Sequence, residues 1–226
     1  MINETFELCR RTVAVRGEEN ADFLLIQPMG DFEMKSFGTE YEHIKKCGRC
    51  IFAAFIIDNW NDELSPWQAK PVWGNEAFGG KAEDTLSFVI TELIPQLKEK
   101  YRLDDTVKIV IGGYSLAALF SLWAVYKCDI FYGAAAASPS VWFPNWIDFI
   151  SQGSQGQPHA KKIYLSLGKK EEKTKNQVMA SVGDNIRKMY ELLSGSMDIV
   201  LEWNDGGHFN EPDIRTAKAF EYILSK

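Results

Sequence analysis

Residues 109–120 read Ile-Val-Ile-Gly-Gly-Tyr-Ser-Leu-Ala-Ala-Leu-Phe, a β-branched apolar run that meets two glycines, one serine and then a leucine-rich segment with helical spacing. This order predicts a strand, a sharp turn and a helix, with Ser115 at the apex of the turn. A serine on such a turn presents its hydroxyl to solvent, where the oxygen can attack a carbonyl carbon. We expect Gly112 and Gly113 to be required by unusual backbone dihedrals and by close approach of the helix to the strand.

Residues 113–117 depart at one position from the pattern Gly-x-Ser-x-Gly that marks a nucleophilic serine. Ala117 replaces the last glycine; because alanine is also small, the departure weakens the match without breaking it. The alternative is a glycine-rich turn with an incidental serine. The choice between them depends on whether an acid and a histidine follow along the chain.

Both partners follow in the order that such a site needs, the acid before the histidine. A strand pattern at 161–168 ends in glycine and is followed by Glu171 and Glu172. A later strand pattern precedes a glycine-rich loop that contains His208. The sequence thus predicts a nucleophile, an acid and a base that act together.

His208 is one of three histidines, and its position separates it from the other two. His43 lies in a charged segment, where we expect a solvated helix face, and His159 follows a polar loop. A histidine is ordinarily a surface or core hydrogen-bonding residue. The flanking glycines and the place of His208 just before the last predicted helix favour a functional role instead.

Apolar runs that alternate with helical patterns predict an α/β sandwich with a mostly parallel sheet, formed by residues 1–226 as a single domain. Strands are expected at 12–16, 22–27, 51–57, 108–112, 133–137, 161–167 and 198–202, helices at 83–101, 116–126, 176–194 and 212–225, and a short polar loop at 151–158. Ligands of such folds bind outside the carboxyl ends of the strands. Ser115, Glu171 and His208 each follow a strand, so we expect them on one side of the sheet.

Composition and charge limit the functional classes. The net charge of −6 disfavours nucleic-acid binding, since phosphate contacts need concentrated lysine and arginine. The N-terminal residues include acidic side chains and no continuous apolar core, so we expect no secretory signal. No apolar stretch approaches the roughly 20 residues that span a bilayer. We therefore expect a cytoplasmic protein with neither nucleic-acid nor membrane partners.

Cys47 and Cys50 have the spacing of a redox or metal-ligand pair. Zinc would need two further ligands, and neither Cys9 and Cys128 nor the distant histidines supply a second pair. We expect four reduced thiols and no metal or other cofactor.

Five segments together resemble a known family. They are DNWNDELSPW at 58–67, GGYSLA at 112–117, SPSVW at 138–142, LGKKEE at 167–172 and GGHF at 206–209. They resemble the putative esterase group of α/β-hydrolases, which includes esterase D-like, feruloyl-esterase-like and enterochelin-esterase-like enzymes. The resemblance extends from about residue 51 to the final helix. It implies a three-layer α/β-hydrolase sandwich and serine esterase chemistry.

The resemblance also implies roles for individual residues. In relatives the acid commonly stands three residues after the glycine that closes its strand, which implies Glu171 rather than Glu172. One oxyanion donor is expected to be the N–H of Leu116, the residue after the nucleophile. The second is expected in the loop after the third predicted strand, where the resemblance favours Asn59 or Trp60.

Aromatic side chains are concentrated near these segments. We expect Trp60, Trp67, Tyr114 and Trp142 to line the substrate pocket, because aromatic rings offer a large rigid contact area. The alternative is that the tryptophans pack beneath a long loop. Little room for a large lid exists between the predicted strands at 133–137 and 161–167, which favours an accessible cleft over long-chain lipase activity.

The predicted reaction follows from these roles. His208 would take the proton of Ser115, Glu171 would stabilise the imidazolium, and water would hydrolyse the resulting acyl-serine. We therefore predict hydrolysis of a small or medium soluble ester. The alternatives are an acyltransferase or thioesterase with the same triad, and a non-catalytic binding protein on a hydrolase scaffold. The residues specify neither the natural substrate nor the oligomeric state.

Overall fold

A central sheet organises the protein, of which the computed structural model describes residues 1–151 and 157–225. The strands are β1 Ile2–Leu8, β2 Arg11–Gly17, β3 Phe23–Met29, β4 Cys50–Ile56, β5 Gln68–Ala69, β6 Phe78–Gly79, β7 Lys108–Tyr114, β8 Gly133–Ala137, β9 Lys162–Gly168 and β10 Asp198–Asn204. Eight strands of the described residues form one sheet in the order β1-β2-β4-β3-β7-β8-β9-β10, and β5 pairs separately with β6. From β4 to β10 in this order every pairing is parallel, and β1 and β2 form an antiparallel edge.

Helices connect the strands. They are α1 Phe37–Ile44, α2 Trp60–Glu63, α3 Ala82–Phe88, α4 Ile94–Tyr101, α5 Leu116–Lys127, α6 Trp146–Ser151, α7 Gln177–Ala180, α8 Val182–Leu193 and α9 Pro212–Leu224. A wider helical turn at Val89–Leu93 joins α3 to α4, and 3-10 turns lie at Glu33–Lys35 and Glu171–Lys173. Within residues 1–151 and 157–225, no helix combines the length and apolar character that crossing a membrane requires.

The helices cover both faces of the sheet, which confirms the predicted three-layer α/β-hydrolase sandwich. One face packs against α1 and α9, and the other against α3, α5 and α8. Small residues in the central strands let α9 approach closely. A Cβ added to Gly112 would lie 2.5 Å from Phe220 Cζ, and one added to Gly133 would lie 2.8 Å from Ile223 Cγ2. The start of α9 is thereby held close to the carboxyl ends of β7 and β8.

Every predicted strand is present, with ends shifted by no more than two residues. The predicted helix at 176–194 is interrupted at Ser181, between α7 and α8. The elements that were not predicted are the edge strand β1, whose residues alternate between half-buried and exposed, and the short elements α2, β5, β6 and α6. The helix face expected around His43 belongs to α1. Of the polar loop predicted at 151–158, residues 152–156 lie outside the described residues.

Candidate active site

Ser115 forms the sharp turn between β7 and α5. Its φ of 57° and ψ of −118° lie in a region that residues other than glycine rarely adopt. Three backbone hydrogen bonds hold this strained turn. The Ser115 N–H donates to Ala137 O at 3.2 Å, and the Ser115 carbonyl accepts from the N–H groups of Leu119 and Ser140, each at 3.1 Å. The serine is therefore fixed just beyond the end of its strand.

The two glycines before the turn are needed for space and not for their dihedrals. A Cβ on Gly113 would lie 2.7 Å from Ala117 Cβ, so the close approach of helix and strand is confirmed. The expectation of unusual dihedrals at Gly112 and Gly113 is wrong, because among the described residues of this turn the positive φ belongs to Ser115. The strain lies on the serine itself because the chain must reverse there.

His208 lies in the loop between β10 and α9, and its ring reaches Ser115. The distance from His208 Nε2 to Ser115 Oγ is 3.0 Å. The Tyr114 hydroxyl donates to the backbone carbonyl of His208 at 2.6 Å, which ties the histidine loop to the end of β7. A base therefore lies within hydrogen-bonding distance of the serine hydroxyl.

Glu171 contacts the other ring nitrogen of His208. Its Oε2 lies 2.7 Å from His208 Nδ1, and its Oε1 accepts from Gly168 N–H at 2.7 Å and from Ser138 Oγ at 2.8 Å. Burial by itself raises the pKa of this carboxyl, but the hydrogen bond and charge of His208, together with bonds from Gly168 and Ser138, hold the pKa below its ordinary value. Glu171 Oε2 thus faces His208 Nδ1 as a hydrogen-bond acceptor.

Glu172 has a different partner. Its Oε2 pairs with Arg187 Nη2 at 2.8 Å, and both side chains are partly exposed. The structure therefore brings Glu171, and not Glu172, to His208. Gly168 explains the spacing, because its N–H caps the carboxylate three residues later and a Cβ on it would lie 2.7 Å from Gly206 O.

Arg215 was missed by sequence analysis although it contacts the same carboxylate. It is 2 % exposed, and its Nη1 lies 3.2 Å from Glu171 Oε1. A signal was present, because Arg215 shares a buried stripe of α9 with Ala219 and Ile223 at helical spacing. A charged residue on an apolar stripe requires a buried partner.

The residues expected to bind an oxyanion lie in different settings. Leu116 is the first residue of α5, so its N–H has no intrahelical acceptor. The Asn59 N–H donates to Glu63 Oε1 at 2.7 Å, and its side chain caps α2. Trp60 lies beside the loop after β3, with its ring 3.8 Å from a Cβ position on Gly30. Asn59 is therefore engaged within its own turn, and Trp60 is close to a loop that adjoins β7.

The aromatic residues expected in the pocket make mostly packing contacts. Trp67 packs against Phe143 with its ring tilted by 58° at a centroid distance of 5.7 Å, and it donates its indole N–H to Pro144 O at 2.9 Å. Trp142 packs edge-on against Phe78 at 6.1 Å. These contacts are those of residues that pack beneath a long loop.

Tyr114 lines a cavity of about 370 Å³ between the loop after β3 and the start of α9. Two exposed aromatic side chains were not anticipated: Phe32, which also lines this cavity, is 80 % exposed, and Phe209 is 92 % exposed. Phe209 follows His208 directly and packs edge-on against its ring. A larger cavity, about 700 Å³, lies over β1 and β2, away from Ser115.

Cys47 and Cys50 lie in surroundings that disfavour a reactive thiolate. Burial raises the pKa of Cys50 to about 12, which disfavours the thiolate that redox chemistry requires. Burial also raises the pKa of Cys47. Across residues 1–151 and 157–225, no cluster of three or more His, Cys, Asp or Glu side chains is arranged to hold a metal ion.

Comparison with known proteins identifies one family model and many similar folds. The model described as "Putative esterase" matches residues 53–196. An IroE-like serine hydrolase from Shewanella oneidensis superposes with a TM-score of 0.76 at 14 % identity, covering 95 % of this chain and 75 % of that chain. The siderophore hydrolase EstA from Aspergillus nidulans has a TM-score of 0.71 at 18 % identity, covering 95 % and 89 %.

The enterobactin esterase of Shigella flexneri is similar over 98 % of this chain but only 58 % of its own, with a TM-score of 0.71 at 19 % identity. No curated protein sequence matches the chain. At these identities the structural matches establish a common fold, whereas the family model matches the sequence itself.

Proposed function

Since this chain belongs to the putative esterase family and is a carboxylic ester hydrolase, we propose that it cleaves small or medium soluble esters with Ser115, His208 and Glu171 as its triad. One observation carries the proposal. The Ser115 hydroxyl, the two ring nitrogens of His208 and the Glu171 carboxylate form an unbroken chain with links of 3.0 and 2.7 Å. A serine needs such a base to become nucleophilic at neutral pH.

The reaction proceeds through an acyl-serine. His208 Nε2 takes the Ser115 proton as Oγ attacks the ester carbonyl, and the C=O electron pair moves onto its oxygen. When the tetrahedral intermediate collapses, the bond to the alcohol breaks and the imidazolium gives that alcohol its proton. Water, deprotonated by the same nitrogen, then attacks the acyl carbon. As this second tetrahedral intermediate collapses, the bond to Ser115 Oγ breaks, the imidazolium returns its proton to Oγ and the acid is released. Glu171 Oε2 accepts from Nδ1–H throughout, which leaves Nε2 free to act as the base.

The oxyanion requires two donors placed in advance. We assign the first to the Leu116 N–H at the start of α5. For the second, a backbone N–H in the loop after β3 is better placed than Asn59, because β3 adjoins β7 in the sheet whereas β4 lies one strand further away. Within that loop Gly30 N–H already donates to the Glu33 carboxylate at 2.8 Å, which favours Asp31 or Phe32.

The substrate is proposed to be a soluble ester that binds in an open cleft. Exposed Phe32 and Phe209 offer apolar contact to its acyl or alcohol part. Siderophore hydrolases are among the proteins of similar fold, so we include siderophore esters, together with short acyl esters, in the substrate range to be tested.

The test measures 4-nitrophenyl acetate hydrolysis by Ser115→Ala beside Ser87→Ala, a control serine on the exposed side of α3. We expect Ser115→Ala to lower kcat on the order of 10⁶-fold, because the nucleophile is removed, and Ser87→Ala to match the wild type. A fluorophosphonate probe should label the wild type and the control but not Ser115→Ala. Hydrolysis that persists in Ser115→Ala would refute the triad.

An ester panel of varied acyl length, with thiol and alcohol acceptors present, distinguishes hydrolysis from acyl transfer.

A further inference from the structure

Arg215 lies beneath the carboxyl ends of four neighbouring strands, β7 to β10, and contacts a group at each. Its Nη1 lies 3.2 Å from the hydroxyl of Tyr114, the last residue of β7, and 3.3 Å from Ser138 Oγ, just after β8. The same nitrogen lies 3.2 Å from Glu171 Oε1, which follows β9, and Nη2 donates to Asp205 O, which follows β10, at 2.7 Å. One side chain therefore joins every strand end that contributes to the proposed triad.

The guanidinium is suited to this position because it presents several N–H donors in a fixed planar fork. Arg215 is 2 % exposed, so these contacts are made away from water. A buried cation needs a buried anion, and Glu171, with 5 % of its side chain exposed, supplies it. The pair keeps a negative carboxylate next to His208 at a depth where an unpaired charge would be costly.

The contacts also fix the orientation of the carboxylate. Arg215, Ser138 and Gly168 all contact Oε1 of Glu171, at 3.2, 2.8 and 2.7 Å. Oε2 is left to accept from the imidazole. With one oxygen held by three donors, the carboxylate cannot rotate without breaking them together.

The histidine loop is held by the same residue. Arg215 binds the carbonyl of Asp205, three residues before His208, and also contacts the Tyr114 hydroxyl. That hydroxyl in turn donates to the backbone carbonyl of His208 at 2.6 Å. The acid and the base of the proposed triad are thus positioned by a single buried group.

We propose that Arg215 is a positioning residue of the esterase, which orients the Glu171 carboxylate and fixes the loop that carries His208. This inference rests on the proposed function of the triad. Arg187 provides a matched comparison, because it forms an arginine–glutamate pair with the adjacent Glu172, at 2.8 Å, that does not touch the triad.

The experiment measures kcat, KM and the pH profile of kcat/KM with 4-nitrophenyl acetate for Arg215→Met, Arg215→Lys and Arg187→Met. We expect Arg215→Met to lower kcat about 10- to 100-fold with KM near the wild-type value, because the triad geometry loosens while substrate contacts persist. The acidic limb of its kcat/KM profile should move to higher pH. Without the Arg215 cation nearby, the protonated form of His208 is favoured, and this form must lose its proton before it can act as a base. Arg215→Lys restores the charge, so its acidic limb should return toward that of the wild type while kcat stays reduced. Arg187→Met should match the wild type.

A folded Arg215→Met with wild-type kcat and an unshifted acidic limb would overturn the proposal. If Arg215→Met does not fold, Arg215→Lys and Tyr114→Phe decide the matter: each should reduce kcat without raising KM, and wild-type kcat in both would overturn it. The proposed function is tested separately, by probe labelling of wild-type Ser115 and the loss of hydrolysis in Ser115→Ala. A wild-type profile in the Arg215 variants therefore removes only the role of Arg215.

Discussion

Glu171 and Glu40 are both withdrawn from solvent, but their carboxyl groups have different surroundings. Glu171 exposes 5 % of its side chain, and Glu40 is 3 % exposed. Both oxygens of Glu171 contact donors, among them a cation. Glu40 Oε1 contacts Ser36 Oγ at 3.1 Å, whereas Oε2 has no hydrogen-bond partner in the described part of the chain.

The pKa values of the two carboxyls move in opposite directions as a result. Burial raises the pKa of Glu40 well above its usual value, and the hydrogen bond from Ser36 offsets only part of this effect. The nearby carboxyls of Glu33 and Asp213 raise it further. The donors around Glu171 reverse the effect of similar burial on its pKa. The number and charge of the donors, more than depth, determine which buried glutamate is an anion.

Substitution of Glu171 and of Glu40 should differ most strongly in its effect on ester hydrolysis. We expect Glu171→Gln to lower kcat on the order of 10⁴-fold, because an amide cannot supply the charge that orients and stabilises the imidazolium. Glu40→Gln should retain wild-type kcat, since that side chain does not contact Ser115 or His208. Ester hydrolysis by both variants, with circular dichroism to verify folding, makes the comparison. An equal loss in both would show that the two carboxyls do not differ in role.

The contributions of Glu40 and Glu171 to stability should change with pH in opposite directions. A carboxyl with a raised pKa in the folded protein stabilises most below its usual pKa of 4.5, and this contribution is lost as pH rises through the raised value. Glu40→Gln removes that loss, so its Tm should exceed the wild-type Tm by about 2–4 °C at pH 8, with a smaller difference at pH 4.

Glu171 has a lowered pKa, so its contribution is present above pH 4.5 and is lost as pH falls through the lowered value. Glu171→Gln should therefore destabilise at pH 8 and approach the wild type in acid. Thermal melts of both variants from pH 3 to pH 8 test the two directions together. Parallel curves for the two variants would contradict the assigned ionisation states.

Local sequence patterns were sufficient to predict the strands next to the candidate site. β7 to β9 are apolar and buried along most of their length, and Ser115 and Glu171 follow β7 and β9, whereas His208 follows the half-buried β10. β1 escaped detection because it is an edge strand with no buried residue, in which Ile2, Phe6 and Leu8 are separated by polar positions. A strand with one half-covered face has a weaker apolar signal.

Local sequence patterns could not predict contacts between segments that lie far apart along the chain. The oxyanion role of Asn59 stays a prediction, but that Asn59 follows an apolar strand did not reveal that β3 lies between that strand and β7 in the sheet. Strand order is fixed by packing across the whole sheet and has no local signature. The partners of Arg215 likewise come from the carboxyl ends of four separate strands, so its position on an apolar stripe indicated burial but not what it would bind.

The smallest expected effect concerns Glu172, the other candidate acid. Its partner Arg187 exposes 43 % of its side chain, and Glu172 exposes 29 %. A pair so open to solvent contributes about 0.2–1 kcal/mol to stability. Glu172→Gln should therefore keep kcat within about 2-fold of the wild type and lower Tm by no more than about 4 °C. Measuring kcat of Glu172→Gln and Glu171→Gln side by side would test whether these adjacent glutamates differ in function as strongly as Glu171 and Glu40 do. A large loss of kcat in Glu172→Gln would instead mean that the carboxylate three residues beyond Gly168 is not the acid.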